Sequence, residues 1–396
     1  MLSATVIVAS AATAAAGGRH AEAAVGVFTT RSATGAERAA RARQPRDRLP
    51  SAAASALTAR PAPAPVGVPG LSLTSSNGLK VFKRPPAPAA AEAYGSAALP
   101  YATTRVAVTV RGTPSEAPAE TPVTSYPFRA TGKLWSRFGG SWYVCSGALI
   151  GPGLLVTAAH CVVRYGAGAS GFAEAVEWAP AAYAVSGGAE TPYGTYRSRY
   201  VAVPAPYVAG TDTCTQGGVV CSNDLAVVVL AANGGVLPGD RLGWYFYAWN
   251  GYGFVASPLL GDQSVAQITQ LGYPVAFDRG QQMQRTEAVG LFYGSGELKN
   301  VHIGSAQTGG ASGGPWLVNF GTRPSIDGVS AGEASRQAVV GVTSYMSSQS
   351  GYNRLGASWF GQNAEYPAAD YGGRGAGNIG YLVDHVCGQS ALAAAC

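Results

Sequence analysis

The sequence predicts an all-β protein, a barrel or sandwich built from short antiparallel strands, and three observations lead there. Gly (54) and Pro (25) together make up about a fifth of the 396 residues, which leaves little room for long regular elements. Only 12% of residues are charged against 47% apolar, a balance that excludes coiled coils and long solvated helices. Short β-branched and aromatic runs recur, as in Trp142-Tyr143-Val144, Leu154-Leu155-Val156, Leu225 to Leu230 and Val339 to Val342, with Gly, Pro, Asn or Ser clusters between them. After the N-terminus no 18-residue apolar stretch is free of breakers, so a multi-span membrane protein is excluded.

In chain order, Met1 to Ala16 is apolar and small, followed by Gly17, Gly18 and Arg19. Residues 1–25 are therefore expected to be a secretory signal, although the usual positive flank before the apolar stretch is missing. The stretch holding Arg31, Arg38, Arg41, Arg43, Arg46 and Arg48 also fits an organelle transit peptide. Ser51 to Pro100 is rich in Ala and Pro, a composition that favours extended polyproline conformations and forms no core. Residues 26–127 are accordingly expected to be a low-complexity pro-region or linker, with a weakly alternating candidate strand at 101–111. Packing is expected to begin near Tyr126-Pro127-Phe128, giving a folded domain over 128–396. Helix is expected only as one turn at Ala159 to Val163 and as a terminal helix at Asn378 to Val386.

The formal charge of +6 is distributed unevenly. Residues 1–127 hold 13 Lys/Arg and 6 Asp/Glu, whereas 128–396 hold 14 and 15. The domain carries no basic footprint, so nucleic acid is not expected as a partner; no membrane partner is expected either, and a monomer is expected. Six cysteines fall into close pairs, Cys145 with Cys161, Cys214 with Cys221 and Cys387 with Cys396. No pair has metal-site spacing, so a zinc site is not expected; the chemistry read below implies no metal or organic cofactor. An even count in a chain with a candidate signal favours three local disulfides; the local pairing is an assumption, because sequence alone does not fix connectivity.

The residues that carry chemistry lie on three local motifs. His160 sits in Leu155-Val156-Thr157-Ala158-Ala159-His160-Cys161, where a strand ends and a cysteine can fix the ring. A general base needs such an imidazole with its second nitrogen held by a carboxylate. Asp224, in Asn223-Asp224-Leu225-Ala226, stands at the edge of an apolar strand; Asp212 competes for this role but lacks the following strand. Ser312 lies in Thr308-Gly309-Gly310-Ala311-Ser312-Gly313-Gly314-Pro315, where glycines permit tight turns and the N–H groups of Gly310 and Ser312 can converge on one oxyanion. Nucleophile, base, orienting acid and oxyanion donors are the requirements of acyl transfer. His302 and His385 are isolated and read as structural.

These three motifs, in this order, resemble chymotrypsin-like (trypsin-like) serine peptidases over roughly residues 128–390. Tyr126-Pro127-Phe128-Arg129, Gly272-Tyr273-Pro274 and Thr308-Gly309-Gly310 are most similar to the secreted microbial branch that includes the glutamyl endopeptidases. The resemblance implies two six-stranded antiparallel barrels, about 128–245 and 246–390, with the active site between them. It implies a secreted serine endopeptidase, made as a zymogen and acting on protein or peptide substrates, with His160 as base, Asp224 as orienting acid and Ser312 as nucleophile. An esterase on the same triad, or a non-catalytic binding module on the same fold, are the alternatives.

The resemblance also implies that Ser344 supports the aspartate and that Ala306, Gln307, Thr343, Ser344, Tyr345 and Met346 border the substrate. Several positions depart from the family. Ala311 and Ala306 stand where trypsins carry aspartates, so activation by an N-terminal ion pair and Lys/Arg selectivity are not expected. Thr343 stands where glutamyl endopeptidases typically carry a histidine, which weakens Glu selectivity, and Met346 replaces a glycine at the pocket wall. A small or medium uncharged side chain before the scissile bond is expected. One motif stays outside this reading, the aromatic run Trp244 to Phe254. Its Asn250-Gly251 suggests a tight hairpin between aromatic strands, packed as barrel core or offered as a stacking surface.

Overall fold

The structure is a computed structural model, described at residues 23–27, 99–108, 121–186, 188–216, 219–258, 262–295, 298–321, 337–346, 353–367 and 371–396. Most of the expected signal and most of the expected pro-region lie outside the described residues. Among the described residues no helix is long and apolar enough to cross a membrane.

Six strands build a first barrel: β1 (Thr131–Phe138), β2 (Ser141–Leu149), β3 (Leu154–Thr157), β4 (Ala175–Pro180), β5 (Tyr196–Pro204) and β6 (Ala226–Leu230). They pair in the antiparallel order β1-β2-β3-β6-β5-β4, and β4 returns to β1, so the sheet closes. A second set closes the same way: β7 (Gln263–Gly272), β8 (Gln284–Ser295), β9 (Leu298–Gly304), β10 (Pro315–Val318), β11 (Ala338–Met346) and β12 (Arg354–Trp359). Its order is β7-β10-β11-β12-β9-β8, with β8 back against β7. The expected pair of six-stranded barrels is therefore the observed fold. Closure removes most free sheet edges.

The short apolar runs form the core. Leu134, Leu149, Leu155, Trp178 and Leu230 are fully buried in the first barrel, and Ile268, Ile303 and Trp316 in the second. One continuous apolar cluster runs from the first barrel to Leu271, Tyr273, Leu317 and Val342 of the second, fixing the barrels against each other. At roughly 25 cal/mol per Å² of apolar surface removed from water, such burial is the main stabilising contribution. The C-terminal helix Gly377–Cys387 matches its expected position. All three local disulfides are formed, Cys145–Cys161, Cys214–Cys221 and Cys387–Cys396.

The aromatic run departs from the expectation. Phe246–Tyr247 pairs in parallel with Ala338 and Val339, and Val255–Ser257 pairs with the start of β7, so no hairpin closes across Asn250-Gly251. The two residues do turn, with φ of 55° and 77°. Longer-range bonds override the local signal: Asn250 N donates to Phe360 O (3.1 Å), and Gln362 N donates to Asn250 Oδ1 (3.0 Å). The run divides its aromatics between core and surface, with Tyr245 fully buried and Phe246 60% exposed.

Candidate active site

Strand register brings the first two chemical residues together. Ala226 of β6 lies opposite Thr157 of β3, so the residues just before β6 face those just after β3. After Thr157 the chain enters the turn Ala159–Cys161, and the Cys145–Cys161 bridge ties that turn to β2. Asp224 is buried, and its carboxylate accepts three bonds: His160 N at Oδ1 (2.8 Å), His160 Nδ1 at Oδ2 (2.8 Å) and Ser344 Oγ at Oδ2 (2.5 Å). A carboxylate only accepts, so the His160 proton resides on Nδ1 and Nε2 keeps its lone pair. Burial lowers the His160 pKa, but the charge of Asp224 and its hydrogen bond outweigh that and leave it raised.

Asp212, the competing acid, is engaged elsewhere. Its oxygens accept Cys214 N (2.9 Å) and Asn223 Nδ2 (2.7 Å). Burial and the nearby Glu365 push its carboxyl up to about 6. Asn223 Oδ1 in turn accepts from Asn363 Nδ2 (2.7 Å), and Asn378 Nδ2 donates to Ser222 O (2.9 Å). The segment presenting Asp224 is thus held by amides reaching from beyond β12.

Ser312 lies on the turn that leads into β10. Ser146, directly after Cys145, holds this turn: its N–H donates to Ser312 O (2.7 Å) and its Oγ to Gly310 O (2.9 Å). Gly313 N donates to Thr343 O (2.7 Å). At Gly313 (φ 76°) a Cβ would lie 2.0 Å from Thr157 Oγ1 and 2.8 Å from Ala158 N. Only glycine permits this approach, and it seats the serine turn against the segment that leads to His160. Among the described residues neither Gly310 N nor Ser312 N donates to another backbone group. Ser146 carries no signal of residue type or spacing beyond its place after a bridging cysteine.

A cavity of about 490 Å³ opens beside the imidazole, lined by His160, Tyr165, Tyr207, Val219, Val220 and Tyr345 among others. The residues expected around the substrate divide by side-chain direction. Ser344 faces Asp224, Tyr345 reaches this cavity, and Met346 is 51% exposed. Gln307 and Thr343 are almost fully buried, and their polar ends are engaged inside the second barrel with Gln270, Thr286 and Trp316. Ala306 is half-buried, and its N–H points to Thr103 Oγ1 (3.3 Å). Among the described residues one group of His, Cys and acidic side chains is close enough to hold a metal: Cys145, His160 and Cys161. The two sulfurs of that group are joined as a disulfide, so it offers no thiolate ligand.

The resemblance read from the motifs is borne out by comparison. Over 225 residues the chain is 25% identical to the glutamyl endopeptidase of Bacillus licheniformis, covering 57% of this chain and 60% of that protein. Over 128 residues it is 32% identical to a protein of Bacillus subtilis named extracellular metalloprotease, covering 31% and 34%. The chain thus spans less than two thirds of the length of either relative. Among solved structures it is similar to the protease Anisep of Arthrobacter nicotinovorans (23% identity, TM-score 0.44, 59% of this chain and 91% of that one). It is also similar to a Glu endopeptidase complex (18% identity, TM-score 0.41, 64% and 89%). No protein-family model matches the chain.

Proposed function

We propose that this chain is a secreted serine endopeptidase that cleaves peptide bonds through an acyl-enzyme. The observation that carries the reading is the Asp224 carboxylate, which holds both the backbone and Nδ1 of His160 while Ser344 holds the carboxylate. This leaves Nε2 as the base. Ser312 Oγ attacks the substrate carbonyl carbon, its proton passes to Nε2, and the carbonyl electron pair moves onto oxygen. The N–H groups of Gly310 and Ser312 receive that oxyanion. Collapse breaks the C–N bond as His160 returns the proton to the leaving amine, and water repeats the sequence to free the acid. Similarity to a glutamyl endopeptidase supports peptide substrates. With alanine at 306 and 311, Lys/Arg selectivity and activation by an N-terminal ion pair are not part of the proposal. The N-terminal residues act as signal and pro-region, and the mature enzyme works as a monomer.

The test uses the full secreted chain, as wild type and Ser312→Ala, with a fluorophosphonate probe and casein. Labelling and casein cleavage that both vanish in the variant are the expected result. Labelling without proteolysis supports an esterase. A folded wild type that neither labels nor cleaves is incompatible with the catalytic reading.

A further inference from the structure

The segment before the first barrel is built into the second. Tyr101–Arg105 pairs antiparallel with Gln284 to Ala288 of β8, the half of that strand's edge that β9 leaves open, since β9 pairs only with Leu291 to Ser295. Tyr101 Oη accepts from Asn353 Nδ2 (2.6 Å), Arg105 pairs with Asp278, and Val106 N donates to Met283 O (3.0 Å).

The direction of each bond around Thr103 is fixed by its neighbours. Ser305 Oγ donates to Gln270 Oε1 (2.7 Å), so its bond with Thr286 (3.2 Å) uses the Thr286 proton. Thr286 Oγ1 then accepts from Gln307 Nε2 (3.1 Å) and from the Thr103 hydroxyl (2.8 Å). Gln270 Nε2 continues to Thr343 Oγ1 (2.9 Å), which donates to Gly314 O (3.2 Å), two residues past Ser312. Thr103 also accepts from Ala306 N (3.3 Å). One hydroxyl therefore heads a directed relay through a barrel interior and holds the backbone at the expected base of the substrate pocket. In such a low-dielectric chain each bond polarises the next, and an orphaned donor is costly.

We propose that Tyr101–Arg105 is part of the substrate-binding half of the enzyme and that Thr103 is a positioning residue for the Ser305–Gln307 turn and, through it, for the approach to Ser312. This rests on the serine-endopeptidase reading. The catalytic unit then begins no later than Leu99, so any maturation cut that leaves it active falls before that residue. Gly304 offers an independent handle. A Cβ there would meet Leu99 O at 2.0 Å, Tyr101 Cδ1 at 2.7 Å and Leu99 C at 2.8 Å, all atoms of this segment. Gly304→Ala therefore displaces the segment while its own strand accepts alanine.

The experiment compares full-length wild type, Thr103→Val, Thr103→Ser and Gly304→Ala. Fluorophosphonate labelling counts competent Ser312 sites, and casein cleavage is expressed per labelled site. Losing the part-buried bond to Thr286 together with the longer bond from Ala306 N predicts about a 3- to 10-fold fall per site for Thr103→Val. Thr103→Ser keeps the hydroxyl and stays within about twofold of wild type, and Gly304→Ala falls at least as far as Thr103→Val. A merely structural role would lower the number of labelled sites and leave the rate per site unchanged, and that outcome overturns the proposal. So does a Thr103→Val rate per site within twofold of wild type. A folded wild type that neither labels nor cleaves casein overturns the endopeptidase reading itself, and this proposal with it.

Discussion

His160 in the first barrel and His302 in the second each have an imidazole held at Nδ1 by a charged partner, a carboxylate in one case and a guanidinium in the other. Asp224 only accepts, so His160 carries its proton on Nδ1 and presents Nε2 as a base. Arg354 only donates, so Nδ1 of His302 accepts and the proton lies on Nε2, which donates to Tyr345 Oη (2.6 Å). The electrostatics diverge accordingly. Burial lowers both pKa values, but Asp224 raises that of His160, whereas Arg354 adds to burial and pushes His302 down to about 4. His302 thus remains a neutral donor under a tyrosine that lines the cleft, and His160 is the group able to take a proton. The sign of one neighbouring charge thus sets apart His160, the proposed base, from His302, which donates to Tyr345.

Removing that sign at the first site gives the largest expected effect. In Asp224→Asn the amide NH₂ cannot accept from Nδ1–H, so the ring favours the other tautomer and Nε2 becomes a donor. Comparable changes at such triads lower kcat about 10⁴-fold with little change in fold. Casein hydrolysis should therefore drop by about 10³- to 10⁴-fold at neutral pH while the thermal midpoint moves little. Activity within tenfold of wild type would show that Asp224 does not orient the base.

Ser344→Ala probes the same carboxylate from the other side. It deletes a 2.5 Å hydroxyl-to-carboxylate bond and leaves both His160 contacts in place. A hydrogen bond to a charged group contributes roughly 1.5–3 kcal/mol, so casein hydrolysis per labelled site should fall about 10-fold or somewhat more. The pH profile sharpens the comparison. Activity should decline as pH falls through a His160 pKa above 6.5, because its net shift is upward. In Ser344→Ala the acid limb should stay on that side of 6.5. A loss below twofold would mean that Ser344 is a bystander.

What the sequence made legible follows the same division between local and distant determinants. The turn at Ala159–Cys161, the strand after Asp224 and the glycine-flanked turn at Ser312 are local features, and the structure has the Ala159–Cys161 turn and that strand. Ser146, Thr103, Asn363 and Asn378 gave no such signal. Each is one small polar residue whose partner lies more than a hundred positions away, as with Ser146 Oγ and Gly310 O or Asn378 Nδ2 and Ser222 O. Their role exists only once the barrels close. The same asymmetry explains the missed hairpin. Asn250-Gly251 has the local chemistry of a two-residue turn, but the parallel bridge from Phe246–Tyr247 to β11 and the bonds to Phe360 and Gln362 take up the flanking backbone. Gln307 and Thr343 carry a related lesson, because buried Gln270 draws both inward, its side-chain amide donating to Thr343 Oγ1 and its main-chain carbonyl accepting from Gln307 Nε2.

His302→Gln tests the supporting histidine and should leave casein hydrolysis per labelled site within about twofold. Glutamine can still accept from Arg354 and donate to Tyr345, so the readout is stability against pH. The folded pKa of about 4 lies below the ordinary 6.5. The unfolded chain therefore binds the proton first as pH falls, and stability present above 6.5 is lost down to about 4. A full shift of this size corresponds to a limit on the order of 3 kcal/mol. His160 has the opposite sign: its raised pKa favours the folded state below 6.5 and that contribution fades as pH rises through the raised value. Denaturant unfolding at pH 7 and pH 4.5 should show wild type losing more stability than His302→Gln over that interval. Equal losses in the two proteins would mean that His302 is not held neutral by Arg354 and burial, and the contrast between the two imidazoles would then rest on the Asp224 side alone.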